Sequence, residues 1–230
     1  MFLPINTAPN LATMTLLAAV TVIESAIPKS KEDAKRELDS LSKIISNLAK
    51  ETLKTKVGKP LLEDAELALA CLRERVEGNF LKTQNISIGT VIICSLEKGI
   101  THHSGIWIKD GMIAELDGNG NYRTVSLEKF IRGDEREYWR SGTFAYAACN
   151  LQGQSLGADD VAELAQSFFG KKTKHSVDAN NCHCFSTACH NGGDPECVFR
   201  IKETFSVGKL ISRISEFHKV SKIRWLPISA

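Results

Sequence analysis

Residues 175–193 read HSVDANNCHCFSTACHNGG, a run that crowds three cysteines and three histidines together. Side chains of these types bind metals, form disulfides or attack carbonyls, and their spacing separates the three chemistries. A metal set would draw on Cys182, Cys184, Cys189, His190 and Cys197, with His183 as a sixth donor. That C-x-C-x4-C-H-x6-C pattern lacks the paired knuckles of zinc ribbons and fingers, and on a helix its members point in different directions. No metal and no organic cofactor are therefore expected. The chain has seven cysteines, an odd number that excludes complete pairing within one molecule, and it is long enough not to need staples. A reducing, cytoplasmic setting follows as an expectation.

The nucleophile remains. Asn180 and Asn181 are helix-capping residues, which places Cys182 in the first turn of a helix, where unpaired N–H groups and the dipole favour thiolate. Cys184 and Cys189 lie further along and are expected to be small core residues. A thiol nucleophile needs a base and a group that orients the base. THHSGIWIKDGMIAEL supplies His103 on one strand and Glu115 on the next, across a turn at Asp110 and Gly111. His102 is the competing base, but adjacent strand residues face opposite ways, so only one of the two can meet the cysteine. His175, His190 and His218 stand in no motif and are expected to be surface or structural.

The elements that must position these groups are legible in part. From Ser30, apolar Ala34, Leu38, Leu41, Ile45 and Leu48 recur at helical spacing. Gly58, Lys59 and Pro60 break the pattern, and Leu62, Ala65, Leu69, Leu72 and Val76 repeat it until Gly78. This predicts an antiparallel helical hairpin over 30–78, suited to packing or to a protein partner. After Ile86, β-branched runs and the turn DGNG predict an antiparallel meander, with Ser126 capping a short helix and more strand character around Tyr138 and Phe144. A helix returns from Asp159, with Val161, Leu164, Ala165 and Phe168 on one face and Gly170 closing it, and another is entered at about Asn181 and stopped by Gly192 and Gly193. The order predicts an α+β fold, with a helical region over 1–80 and a second domain over 81–230. Apolar Leu11–Ile27 has no basic residue before it and carries Glu24, so a buried helix is expected, with peripheral membrane contact as the alternative.

HSGIWIKDGMIAEL, starting at His103, resembles the first block of the lecithin:retinol acyltransferase-like family, and Asn181–Phe185, NCHCF, resembles that family's Asn-Cys-Glu-His-Phe block. VAELAQSFFGKKTKHSVDANN resembles its approach helix and loop, so the likeness spans about 86–192. The family is the circularly permuted branch of the NlpC-like, papain-like thiol hydrolases, in which the histidine precedes the cysteine. The resemblance implies a permuted papain-like domain with Cys182 as nucleophile, His103 as base and Glu115 in a third position that is often histidine. It also implies an ester or amide carbonyl as target, lipid acyl groups in the acyltransferase branch or cell-wall and protein amides in the wider group, and the apolar Leu11–Ile27 segment tilts the expectation to lipid. The sequence departs from the family block where His183 and Cys184 replace its Glu-His pair.

The net formal charge of +2, from 29 basic and 27 acidic residues, gives no global reason to expect nucleic acid. The expected partners are a lipid or peptide substrate, with a possible protein partner on the hairpin. A noncatalytic interaction protein on the same fold is the rival reading.

Overall fold

The computed structural model describes residues 30–52, 58–96, 101–133, 140, 144–174, 181–192 and 207–229. The apolar Leu11–Ile27 segment, Tyr138, His175, Gly193 and Cys197 lie outside them. The fold is α+β, with a seven-stranded mixed sheet.

Two helices lead, α1 (Lys31–Thr52) and α2 (Gly58–Glu77). Ser30 and Asp33 exchange side-chain and backbone hydrogen bonds at 2.8 and 3.1 Å, which anchors the start of α1. Leu38 and Ile45 of α1 pack on Leu62, Leu69 and Leu72 of α2. Lys31 Nζ donates to the Glu77 carbonyl at 3.2 Å, so the start of α1 meets the end of α2. Gly58, Lys59 and Pro60, read above as a break, instead form the first turn of α2. Proline fits there because first-turn N–H groups have no helical acceptor. Gly78, at φ +81°, ends the helix.

The strands are β1 (Leu81–Lys82), β2 (Val91–Leu96), β3 (Thr101–Trp107), β4 (Met112–Leu116), β5 (Tyr122–Ser126), β6 (Ala145–Cys149) and β7 (Arg224–Ser229). Their order across the sheet is β1-β7-β6-β2-β3-β4-β5, antiparallel except for the β1–β7 pair. The consecutive β2–β5 run is the expected meander. Further helices are α3 (Leu127–Arg132), capped by Ser126, α4 (Asp159–Gln166), α5 (Cys182–Cys189) and α6 (Val207–Phe217).

Period-two alternation gives the sheet two buried faces. Val91, Ile93, Ile106 and Ala114 share one core with Val161, Phe185 and Leu210, which come from α4, α5 and α6. Ile92, Trp107, Ile113 and Val125 share the other with Phe130 of α3. Leu67 and Cys71 of α2 belong to the first core, so this helix is built into the body of the fold. Glu74 of α2 also pairs both carboxylate oxygens with Arg224 of β7, at 2.6 and 2.9 Å.

Gly105 faces α3 at the register position opposite Glu115. A Cβ there would lie 2.6 Å from Ile113 Cγ2, 2.7 Å from the Ala114 carbonyl and 3.0 Å from Phe130. Gly105→Ala should therefore cost about 1–3 kcal/mol through overpacking. A chemical denaturation midpoint equal to that of the wild type would contradict this.

Candidate active site

His103 and Glu115 point to the α3 face of the sheet, His103 from β3 and Glu115 from β4. Because Gly105, not His103, is directly opposite Glu115, the His103 and Glu115 side chains are diagonal neighbours. His103 Nε2 lies 2.8 Å from Glu115 Oε2, and its ring packs 5.0 Å, centroid to centroid, from Phe130. With Nε2 committed to Glu115, Nδ1 is the nitrogen left for the sulfur.

Cys182 meets the His103 side chain from the other layer. Asn181 has an extended backbone and its side chain accepts from the Cys184 N–H at 3.0 Å, so α5 begins at Cys182. The helix packs on β3 and β4. The β3–β4 register begins at Gly105, which leaves the edge of β3 before it open to α5. There Cys182 is hydrogen-bonded to the His103 side chain and to both the backbone and the side chain of Ser104. All three groups singled out in the sequence, Cys182, His103 and Glu115, thus lie in one hydrogen-bonded run.

Burial works against the Cys182 thiolate, but the His103 charge and the hydrogen bonds from His103 and Ser104 bring the thiol down to about 7. Burial likewise opposes a charged His103, as does Arg140. The Cys182 sulfur and Glu115 outweigh them and raise the ring to about 9. Glu115, fully buried, is held down to about 2 against the effect of burial by His103 and Arg140. At neutral pH these directions favour a thiolate–imidazolium pair backed by a carboxylate.

Arg140 has no local signal in the sequence, yet it is central here. Its guanidinium is buried, and its Nη1 donates to Glu115 Oε2 at 2.9 Å and to the Phe130 carbonyl at 3.1 Å. Its Nη2 donates to Glu115 Oε1 at 3.2 Å and lies 3.3 Å from His103 Nε2. Arg123 Nε adds a bond to Glu115 Oε1 at 2.8 Å. The carboxylate therefore does more than orient an imidazole, since it also neutralises a buried arginine. The rule that a buried carboxylate needs a cation could have asked for such a partner, but not where it stands in the chain.

His102, the competing base, faces the opposite way, with Nδ1 3.0 Å from Asp64 Oδ1 of α2. His183 is also buried on this side, its Nδ1 2.9 Å from Ser104 Oγ, and burial lowers its pKa to about 4. Cys184 packs on Ala188 and Cys189 lies in the main core, each pushed up by burial, Cys184 to about 11. His190 is fully buried, and its Nδ1 is 2.9 Å from the Ser186 carbonyl. Among the described residues no group of three or more His, Cys, Asp or Glu is arranged to hold a metal ion. No described helix is long and apolar enough to cross a membrane. No protein-family model matches the chain, and no curated protein matches it either.

Proposed function

We propose that the protein is a cysteine-dependent hydrolase or acyltransferase built on a circularly permuted papain-like fold. The observation that carries this reading is the hydrogen-bonded run from Cys182 through His103 to Glu115, in which a depressed thiol faces a raised imidazole. The Cys182 thiolate attacks an ester or amide carbonyl, and the carbonyl π pair moves to oxygen. Collapse of the tetrahedral adduct expels the alkoxide or amine, which takes a proton from the His103 imidazolium, and leaves an acyl-thioester on Cys182. His103, now neutral, removes a proton from water or from an acceptor hydroxyl or amine as it attacks the thioester, and the sulfur departs as thiolate.

The Cys184 N–H is engaged by the Asn181 cap, while those of Cys182 and His183 belong to the open first turn of α5. We assign the oxyanion to that turn. Lipid acyl esters come first as substrates, on account of the apolar 11–27 segment, and peptide amides second. α1 and α2 remain a candidate surface for a protein partner, and 11–27 for peripheral membrane contact.

The test is acid-quenched mass spectrometry after incubation with p-nitrophenyl esters of short and long acyl chains and with matching peptide anilides. An acyl adduct on the peptide containing Cys182 is expected, favouring long-chain esters. No adduct on Cys182 from any of these compounds would leave a noncatalytic interaction protein as the better account.

A further inference from the structure

Ser104 is wholly buried, and it meets three groups at once. Its oxygen lies 2.9 Å from His183 Nδ1 and 3.0 Å from Ser186 Oγ, the latter placed to donate. Its hydroxyl and its backbone N–H both reach Cys182. A hydroxyl has one proton and two lone pairs. If Ser186 and His183 both donate to the oxygen, its acceptor capacity is filled, and the single proton is directed to the sulfur.

We propose that Ser104 is a further catalytic residue, which holds the Cys182 thiolate through its hydroxyl and its N–H, and that His183 is the positioning residue that aims the hydroxyl. The inference rests on the thiol-enzyme reading above and adds a second support for the nucleophile besides His103. His183 is neutral near pH 7, so its ring carries one proton. Two acceptors compete for that proton, Ser104 Oγ and the backbone carbonyl of His102. A bond from a neutral hydroxyl to a charged sulfur is about twice as strong as one between neutral groups. Formation of the thiolate therefore draws the Ser104 proton to sulfur and the His183 proton to Nδ1.

The charged and titratable groups around the pair come from several elements. β3 supplies His103 and His102, β4 supplies Glu115, Arg140 stands behind His103, and α2 supplies Asp64. Asp64 is bonded to His102 and acts on His183 through its charge. A helix read from the sequence as suited to packing or to a protein partner thus helps set the environment of the residue that follows the nucleophile.

The experiment is the pH dependence of iodoacetamide alkylation at Cys182 in the full chain, resolved from the other cysteines by peptide mass spectrometry, with folding checked by circular dichroism. Ser104→Ala removes the hydroxyl but keeps the N–H and the fold-compatible methyl. It should raise the thiolate midpoint by about one to two pH units, the loss of one hydrogen bond to a charged group. His183→Leu should raise it in the same direction. His183→Asn, whose amide N–H stands in for Nδ1–H, should lie nearer the wild type than His183→Leu. A wild-type midpoint in Ser104→Ala would overturn the role of the serine, and a lowered midpoint in His183→Leu would show that His183 takes the Ser104 proton rather than directing it. An ordinary thiol midpoint in the wild type would instead remove the thiol-enzyme reading itself.

Discussion

Glu115→Ala should destabilise the fold by about 3–5 kcal/mol, because it leaves the Arg140 charge buried without its counterion. Glu115→Gln should fall little short of that. Two oxygens of Glu115 receive four donors, His103 Nε2 and Arg140 Nη1 on one, Arg123 Nε and Arg140 Nη2 on the other. An amide has only one oxygen, so its NH2 would face donors whichever way it turned. Arg123 is partly exposed and retains Asp117 at 3.5 Å, so the main uncompensated charge is Arg140. Glu115→Leu combined with Arg140→Met should recover much of the loss, since replacing both buried partners removes the desolvation cost along with the attraction. Urea denaturation of the wild type and these three variants measures this. Equal midpoints for wild type and Glu115→Ala would show that the charge cluster contributes no net stability.

The same carboxylate fixes an acid limit. Its folded value of about 2 lies below the ordinary 4.5, so its contribution is fully present above about pH 4.5 and is lost as pH falls toward 2. The stability gap between wild type and Glu115→Gln should narrow over that interval.

His103→Asn should cut the reactivity of Cys182 at pH 7 by about fiftyfold. The thiol falls to about 7 mainly because the His103 charge and hydrogen bond overcome burial, and without them it returns to at least its ordinary 9.0. Each pH unit is a factor of ten in thiolate below the midpoint. Alkylation at Cys182 should therefore rise through about pH 7 in the wild type and through pH 9 or above in the variant. Turnover should show a second limb near pH 9, where His103 loses the proton that the leaving group needs. Superimposable alkylation profiles would mean that His103 does not ionise the thiol.

The meeting of Cys182, His103 and Glu115 was legible because each chemical cue coincides with a local one: a cap before the cysteine, and two strands around a turn for the histidine and the carboxylate. The meander and the helical periodicity of α1 and α2 were legible for the same reason. Arg140 was not, because only the folded sheet makes a buried carboxylate its neighbour. Ser104 looked like a small strand residue, and its contact with His183 bridges 79 positions of sequence. Asp64 followed the polar pattern of a solvated helix face, which hid its bond to His102 across 38 positions.

The place of β7 bears on how the chain is made. Among the described strands it lies between β1 and β6 and is the one that pairs with β1, so that pairing waits until β7 has been synthesised, and Glu74 waits across 150 positions for Arg224. During translation the two leading helices and β2–β5 can form local contacts, while the apolar surface intended for β7 stays open. Pairings of such long sequence separation close slowly, and the exposed edge is open to aggregation until they do. Yield of the folded protein should thus respond to chaperone supply and to the pace of elongation as well as to final stability.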